Sequence, residues 1–213
     1  MINNRDSARK VADFLLQIKA VMLQPDKPFT WASGIKSPIY CDNRKTLSHP
    51  KIRTYLRQQF VSAINDQFGK ADVIAGVATG GIPQGVLVAQ DLGLPFIYVR
   101  SEAKKHGAGN LIEGEFEAGL SVVVIEDLIS TGGSTMKAVD ALRKEKCMVK
   151  GVASIFSYNL KASEDTFKKA KITCVSLCDY PTLIERAAET NYIAEKDIKT
   201  LEDWVKNPEG WKK

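Results

Sequence analysis

The stretch VVVIEDLISTGGST, residues 122–135, sets two carboxylates, Glu126 and Asp127, directly after four branched apolar residues. The apolar run predicts a buried strand. The small residues after it lead into STMKAVDALRKEK, which reads as a helix. Open amides at a helix start, with glycines allowing close approach, cradle an anion. Ser130, Thr131, Ser134 and Thr135 add hydroxyl donors. An ordinary strand-to-helix turn capped by Ser134 or Ser130 would explain the small residues. It does not call for two acids and two glycines in one turn. No Lys follows the glycines, so this is not a Walker A loop, and GxGxxG is absent. Carboxylates repel phosphate but accept hydrogen bonds from hydroxyls. A ligand with a phosphate on one carbon and a vicinal diol nearby, a ribose 5-phosphate, satisfies both halves.

Three more segments carry candidate chemistry. GVATGGIP, residues 76–83, has two glycines before Pro83 and would let backbone approach a ligand; a plain strand-to-helix turn reads the same way. YVRSEAKKHGAGNLIEGEF places Arg100, Lys104, Lys105 and His106 within seven residues, offset by Glu102 and followed by Gly107 and Gly109. Charge runs are usually solvated faces. This one begins where a strand ends and has hinge glycines, which predicts a mobile cationic lid. FTWASGIKSPIYCDNRKTLS, residues 29–48, offers Lys36 and Arg44 as cations.

VVVIEDLISTGGST closely resembles the phosphoribosyl-pyrophosphate signature of type I phosphoribosyltransferases. The resemblance implies that Glu126 and Asp127 hold the ribose hydroxyls, and that the loop Leu128, Ile129, Ser130, Thr131, Gly132, Gly133 and Ser134 holds the 5-phosphate. It makes Ala78, Thr79 and Gly80 the pyrophosphate loop, with a cis bond at Ala78–Thr79. The lid, a basic residue after a strand and then Lys-x-His-Gly, resembles that of the orotate phosphoribosyltransferases. The element Ser-Gly-x-Lys-Ser-Pro-x-Tyr resembles their N-terminal hood. On this likeness Arg100, Lys104, Lys105 and His106 contact the diphosphate, Lys104, His106 and Asp127 are catalytic, and Lys36, Ser130 and Tyr158 face orotate. The implied reaction joins orotate to phosphoribosyl pyrophosphate, giving orotidine 5′-phosphate and pyrophosphate on the way to UMP. Mg2+ would be held by the diphosphate and ribose hydroxyls, with no direct protein ligand. A homodimer with shared sites is implied as well. The chain departs from common patterns at Gly80, where many members carry Lys, at Ser101, commonly basic, at Ala32, which is Lys in some, and at Tyr158, which is Arg in some. Two other readings stand: a purine or uracil transferase, or a nucleotide-sensing RNA-binding regulator on the same fold.

The elements that must position these residues are legible in the periodicity. Helical spacing of Val11, Phe14, Leu15, Ile18 and Met22 predicts an amphipathic helix across residues 5–23. Residues 29–50 read as irregular with short strands, and PKIRTYLRQQFVSAINDQF as helix. From ADVIAGVA to KITCVSL, apolar strands alternate with helices, which predicts an α/β fold: a mostly parallel sheet flanked by helices. The expected layout is a single domain, 1–213, with an N-terminal helix and small hood over about 1–48, a sheet core over about 71–180 and C-terminal helices over about 181–213. Trp204 and Trp211 should anchor the tail. Ligands of such sheets sit beyond the strands' carboxyl ends, so the four loops should meet at one site.

Composition excludes several classes. Hydrophobic residues make up 44% and charged residues 26%. No apolar run reaches the roughly 18 residues of a membrane span, and MINNRDSARKVADFLLQIKA does not read as a signal peptide. A cytoplasmic, membrane-free enzyme is expected. The net charge of +5 is spread along the chain, which fits small anionic substrates better than nucleic acid. Cys174 and Cys178 lie on one predicted strand and should share a face; neither zinc nor a disulfide scaffold is expected from the four cysteines.

Overall fold

A computed structural model describes residues 1–31, 34–102 and 111–211 of the chain. The first helix, α1 (Arg5–Gln17), is capped by Asn4, whose side chain accepts the Ser7 N–H at 2.9 Å. The helix stops well before Met22. Lys19 takes a positive φ of 52°, and Val21–Leu23 becomes strand β1. The apolar spacing persists through this break because a buried strand wants the same residue types. Strands β2 (Phe29–Thr30) and β3 (Lys36–Ser37) pair antiparallel, and β4 (Ile39–Cys41) returns to pair with β1. These two small ribbons, followed by a 3-10 helix at Asn43–Ser48, form the hood. Helix α2 (Pro50–Gln67) opens on proline, whose missing N–H costs nothing at a helix start.

The core follows as β5 (Val73–Val77), α3 (Gly81–Leu92), β6 (Phe96–Val99), β7 (Ile112–Glu113), β8 (Ser121–Ile129), α4 (Gly133–Lys144), β9 (Met148–Ser157), α5 (Lys161–Ala170) and β10 (Cys174–Asp179). Helices α6 (Tyr180–Glu189) and α7 (Glu195–Lys206) complete it. The strand order is β10-β9-β8-β5-β6-β7, parallel throughout except for β7 on the edge. Side chains of β8 alternate between two faces. Val123 and Ile125 join α1, α2 and α6 in one core, while Val122 and Val124 join α4 and α5 in the other. Cys178 is buried in the first core and Cys174 packs against the second. Strand β8 runs on through the two acids to Ile129, past the predicted end at Asp127. Among the described residues no helix is long and apolar enough to cross a membrane.

An aromatic cluster ties the tail to the hood. The fully buried Trp204 of α7 lies 5.6 Å from Trp31, 5.6 Å from Tyr158 and 5.5 Å from Tyr180, centroid to centroid. Its indole N–H donates to the Lys36 carbonyl at 3.2 Å, and the Trp31 N–H donates to the Ile39 carbonyl at 3.3 Å. The C-terminal helix therefore supports the hood from below.

Trp204→Ala is expected to cost about 3–5 kcal/mol in equilibrium denaturation, and Trp204→Phe much less, with only about 1 kcal/mol owed to the lost hydrogen bond. Equal losses in the two variants would show that the indole N–H, and not ring packing, is the anchor.

Candidate active site

Strands β5 and β8 are neighbours, yet the chain leaves them in opposite directions across the sheet: β5 leads to β6, and β8 leads to β9. Their carboxyl ends therefore open a crevice. Ala78, Thr79 and Gly80 follow β5; Glu126, Asp127 and Leu128 end β8; Ser134 opens α4; and Cys41, Asp42 and Arg44 come from the hood. Together they line one cleft of about 410 Å3. Sequence reasoning placed the first seven there and proposed Arg44 as a cation. It did not single out Cys41 or Asp42, whose one signal was their place beside Arg44.

Close packing fixes the β5 side. A Cβ at Gly81 would collide with the Ile125 carbonyl, so the first turn of α3 rests on the backbone of β8. A Cβ at Gly80 would collide with the Asp127 carboxylate. Any side chain at position 80 must therefore shift the Asp127 carboxylate from where it now lies. The Ala78–Thr79 peptide bond is cis.

The acids differ from one another. Glu126 is only 4% exposed, while Asp127 is half-buried at the cleft wall. The Glu126 carboxyl accepts the Thr135 hydroxyl and the Asp127 N–H, each at 3.1 Å. Burial first, and then the neighbouring Asp127 charge, push its pKa up to about 8. At neutral pH the Glu126 carboxyl therefore keeps its proton.

The loop after β8 is not side-chain capped. The residue before α4 is Gly132 at φ 80°, and neither Ser130 nor Ser134 bonds the helix amides. A Cβ at Gly132 would sit 3.1 Å from the Phe167 ring, so both conformation and space select glycine. Thr131, Gly133 and Ser134 are exposed, and Ser130 is half-buried. The first amides of α4 are left without side-chain partners beside an open cleft. Ile129 points into the core, and its carbonyl accepts the Tyr158 N–H at 3.0 Å, which leaves its side chain no path to a ligand.

Other predicted residues are placed differently. The Arg100 guanidinium pairs with Glu113 at 3.2 Å, and its main-chain N–H donates to the Leu111 carbonyl at 2.8 Å, closing the β6–β7 pair. Lys104, Lys105 and His106 lie outside the described residues, as does Ala32. Lys36 does not line the cleft; it is exposed and donates to the Thr30 hydroxyl at 2.9 Å. Tyr158 is 2% exposed, enclosed by Phe156, Trp31, Tyr180 and Trp204, and burial drives its hydroxyl pKa well up. That site is a core position. Arg44 does line the cleft, held by Asp42 through bonds of 2.7 and 3.1 Å. Among the described residues, no three His, Cys, Asp or Glu side chains gather to hold a metal.

The raised Glu126 pKa has a measurable sign. The unfolded carboxyl releases its proton near 4.5, whereas the folded one keeps it to about 8. Between those values the unfolded state binds fewer protons, so this group's contribution to stability is full below the window and is lost as pH rises through it. Glu126→Gln does not titrate. Its melting temperature, relative to the unaltered protein, should climb from acid to alkaline across that window. A difference that is constant with pH would mean that Glu126 is ionised in the fold.

Comparison with known proteins agrees with this geometry. A family model described as the phosphoribosyl transferase domain matches residues 47–192. An orotate phosphoribosyltransferase of Bacteroides thetaiotaomicron is 54% identical over 203 residues, covering 95% of this chain and 96% of its own. One from Listeria monocytogenes is 52% identical over 205 residues, covering 96% and 98%. The crystal structure of an orotate phosphoribosyltransferase from Aeropyrum pernix superposes with a TM-score of 0.75 at 26% identity, covering 86% of this chain and 99% of that one. With paired acids and an uncapped helix start at the switch point, and with relatives this similar over nearly their whole length, the chain belongs to the phosphoribosyltransferase family, among its orotate phosphoribosyltransferases.

Proposed function

We propose that the chain transfers the 5-phosphoribosyl group from phosphoribosyl pyrophosphate to orotate, releasing orotidine 5′-phosphate and pyrophosphate, in pyrimidine biosynthesis. One observation carries this reading: an acid pair, an uncapped helix start and a glycine loop share a single cleft. The α4 amides and Ser134 take the 5-phosphate. Asp127 and Glu126 take the ribose hydroxyls, with Thr135 holding Glu126 in place. The proton kept by Glu126 leaves the site less negative than two carboxylates would, which eases the approach of an anionic sugar phosphate. Asp127 then faces the positive charge that builds on the ribose as the leaving group departs.

Ala78, Thr79 and Gly80 border the diphosphate, and Arg100, Lys104, Lys105 and His106 close over it. Arg100 must exchange Glu113 for the ligand in doing so. Of the two hood cations, Arg44 is the one on the cleft wall, which favours it as partner for an anionic group of the substrates. Mg2+ would be held by the diphosphate and the ribose hydroxyls, with no direct ligand from the protein, since among the described residues the cleft offers too few oxygens for a hard cation on its own. Bound so, it would neutralise charge on the leaving group. Lid closure would keep water from the reactive sugar. We place the enzyme in the cytoplasm as a homodimer whose lids serve each other's sites.

Pyrophosphate release with Mg2+ should require orotate; release with uracil or a purine instead would assign another base. Asp127→Asn should lower turnover by roughly 10²-fold. Near-normal turnover would remove its role.

Mixing variants tests the shared site. Lys104→Ala and Asp127→Ala should each give nearly inactive dimers. Refolded together in equal amounts, about half the dimers become mixed and about a quarter of all sites carry no lesion. Activity should return toward that fraction. A mixture as inactive as its parents, with mixed dimers confirmed by mass, means that each lid serves its own subunit.

A further inference from the structure

Asp127 is held by more than its own strand. Strand β5 pairs with β8 only as far as Ile125, while β9 continues to Ile129. Beyond Ile125, then, β8 has a strand on one side only, and a main-chain carbonyl there needs another partner. The hood supplies it: the Asn43 side-chain amide donates to the Asp127 carbonyl at 2.6 Å. Asn43 is 1% exposed and is fixed in turn. Its side-chain oxygen accepts the Cys41 thiol at 3.4 Å, which orients the amide, and its own carbonyl accepts the Thr46 hydroxyl at 2.6 Å. On the other side, Gly80 leaves the Asp127 carboxylate no spare room. The acid is thus gripped from the hood and walled by the loop after β5.

We infer that Asn43 is a positioning residue: its buried amide takes the place of the missing strand, fixes the Asp127 peptide, and so aims the carboxylate into the cleft. This rests on Asp127 binding the ribose, as proposed above. It adds a consequence, that the hood on the base side and the acid on the sugar side are one mechanical unit.

A merely structural Asn43 would lower stability and leave donor binding unchanged once the protein is folded. A positioning Asn43 acts through Asp127, so its effect must vanish when that carboxylate is gone. Binding of phosphoribosyl pyrophosphate with Mg2+ is measured by calorimetry for the unaltered protein, Asn43→Ala, Asp127→Asn and the double variant, with melting curves to confirm folding. Asn43→Ala should weaken donor binding on the order of tenfold and lower kcat by a similar factor, yet change little in the Asp127→Asn background. Gly80→Ala, which pushes the same carboxylate from the other side, should show the same dependence on Asp127 and serves if Asn43→Ala does not fold. Effects that multiply in the double variant, or unchanged donor binding in folded Asn43→Ala, would overturn the inference. Donor binding that behaves as expected while orotate triggers no pyrophosphate release would sink the base assignment alone. An unaltered protein that does not bind the donor would overturn both.

Discussion

The site depends on the cost of burying a carboxyl group. Glu126 is buried near the end of β8, against the first turn of α4, where an isolated ionised carboxylate would be expelled or neutralised. It is tolerated because Thr135 and the Asp127 N–H serve its oxygens and because it keeps its proton to about pH 8. Thr135 can reach it only if α4 begins directly after a tight loop, which is what Gly132 at φ 80° permits. The same tight loop leaves the first helix amides facing the cleft. Satisfying the acid and building the anion cradle are therefore one structural solution. Loss of the Gly132 conformation would be expected to disturb both.

The hood is a second, separate dependency. It is made of two-residue and three-residue strands, too short to hold themselves. Its order comes from outside, from Trp204 of the last helix bonding the Lys36 carbonyl and packing on Trp31, and from Asn43 on the Asp127 carbonyl. Chain ends and chain middle thus meet at the site. A lesion in α7, distant in sequence from every ligand-facing residue, would reach the cleft through Lys36, Trp31 and Arg44.

Strong periodicity made the sheet legible. Val122 to Ile125 could only be a buried strand, and the alternation with helices gave the α/β class and placed the loops together. What escaped was set by tertiary context. Val21 to Leu23 continue a helical spacing, yet Lys19 breaks the helix and the residues pair with β4. Strand β7 has two residues and leaves no pattern. Tyr158 follows an apolar strand directly, and whether its ring faced ligand or core depended on Trp204, some 46 residues away in sequence. Lys36, in the same hood motif, is exposed and bonds the Thr30 hydroxyl. Residue types announced the chemistry, and packing decided which of them the cleft received.

Gly80 shows how one contact redistributes charge. A lysine at this position would put a cation on the loop itself. Here the Asp127 carboxylate lies where a Cβ would be, so no lysine fits without moving the acid that the reaction needs. The positive charge has to come from elsewhere. Arg44 is already at the wall, held by Asp42 in a bidentate pair that points its guanidinium without neutralising the cleft. Arg100 is paired with Glu113, and the remaining cations, Lys104, Lys105 and His106, belong to the segment proposed above as a lid. On the reading proposed above, in which this segment closes over the diphosphate, its charge reaches the cleft only on closure, and replacing Lys104, Lys105 or His106 with alanine should weaken donor binding.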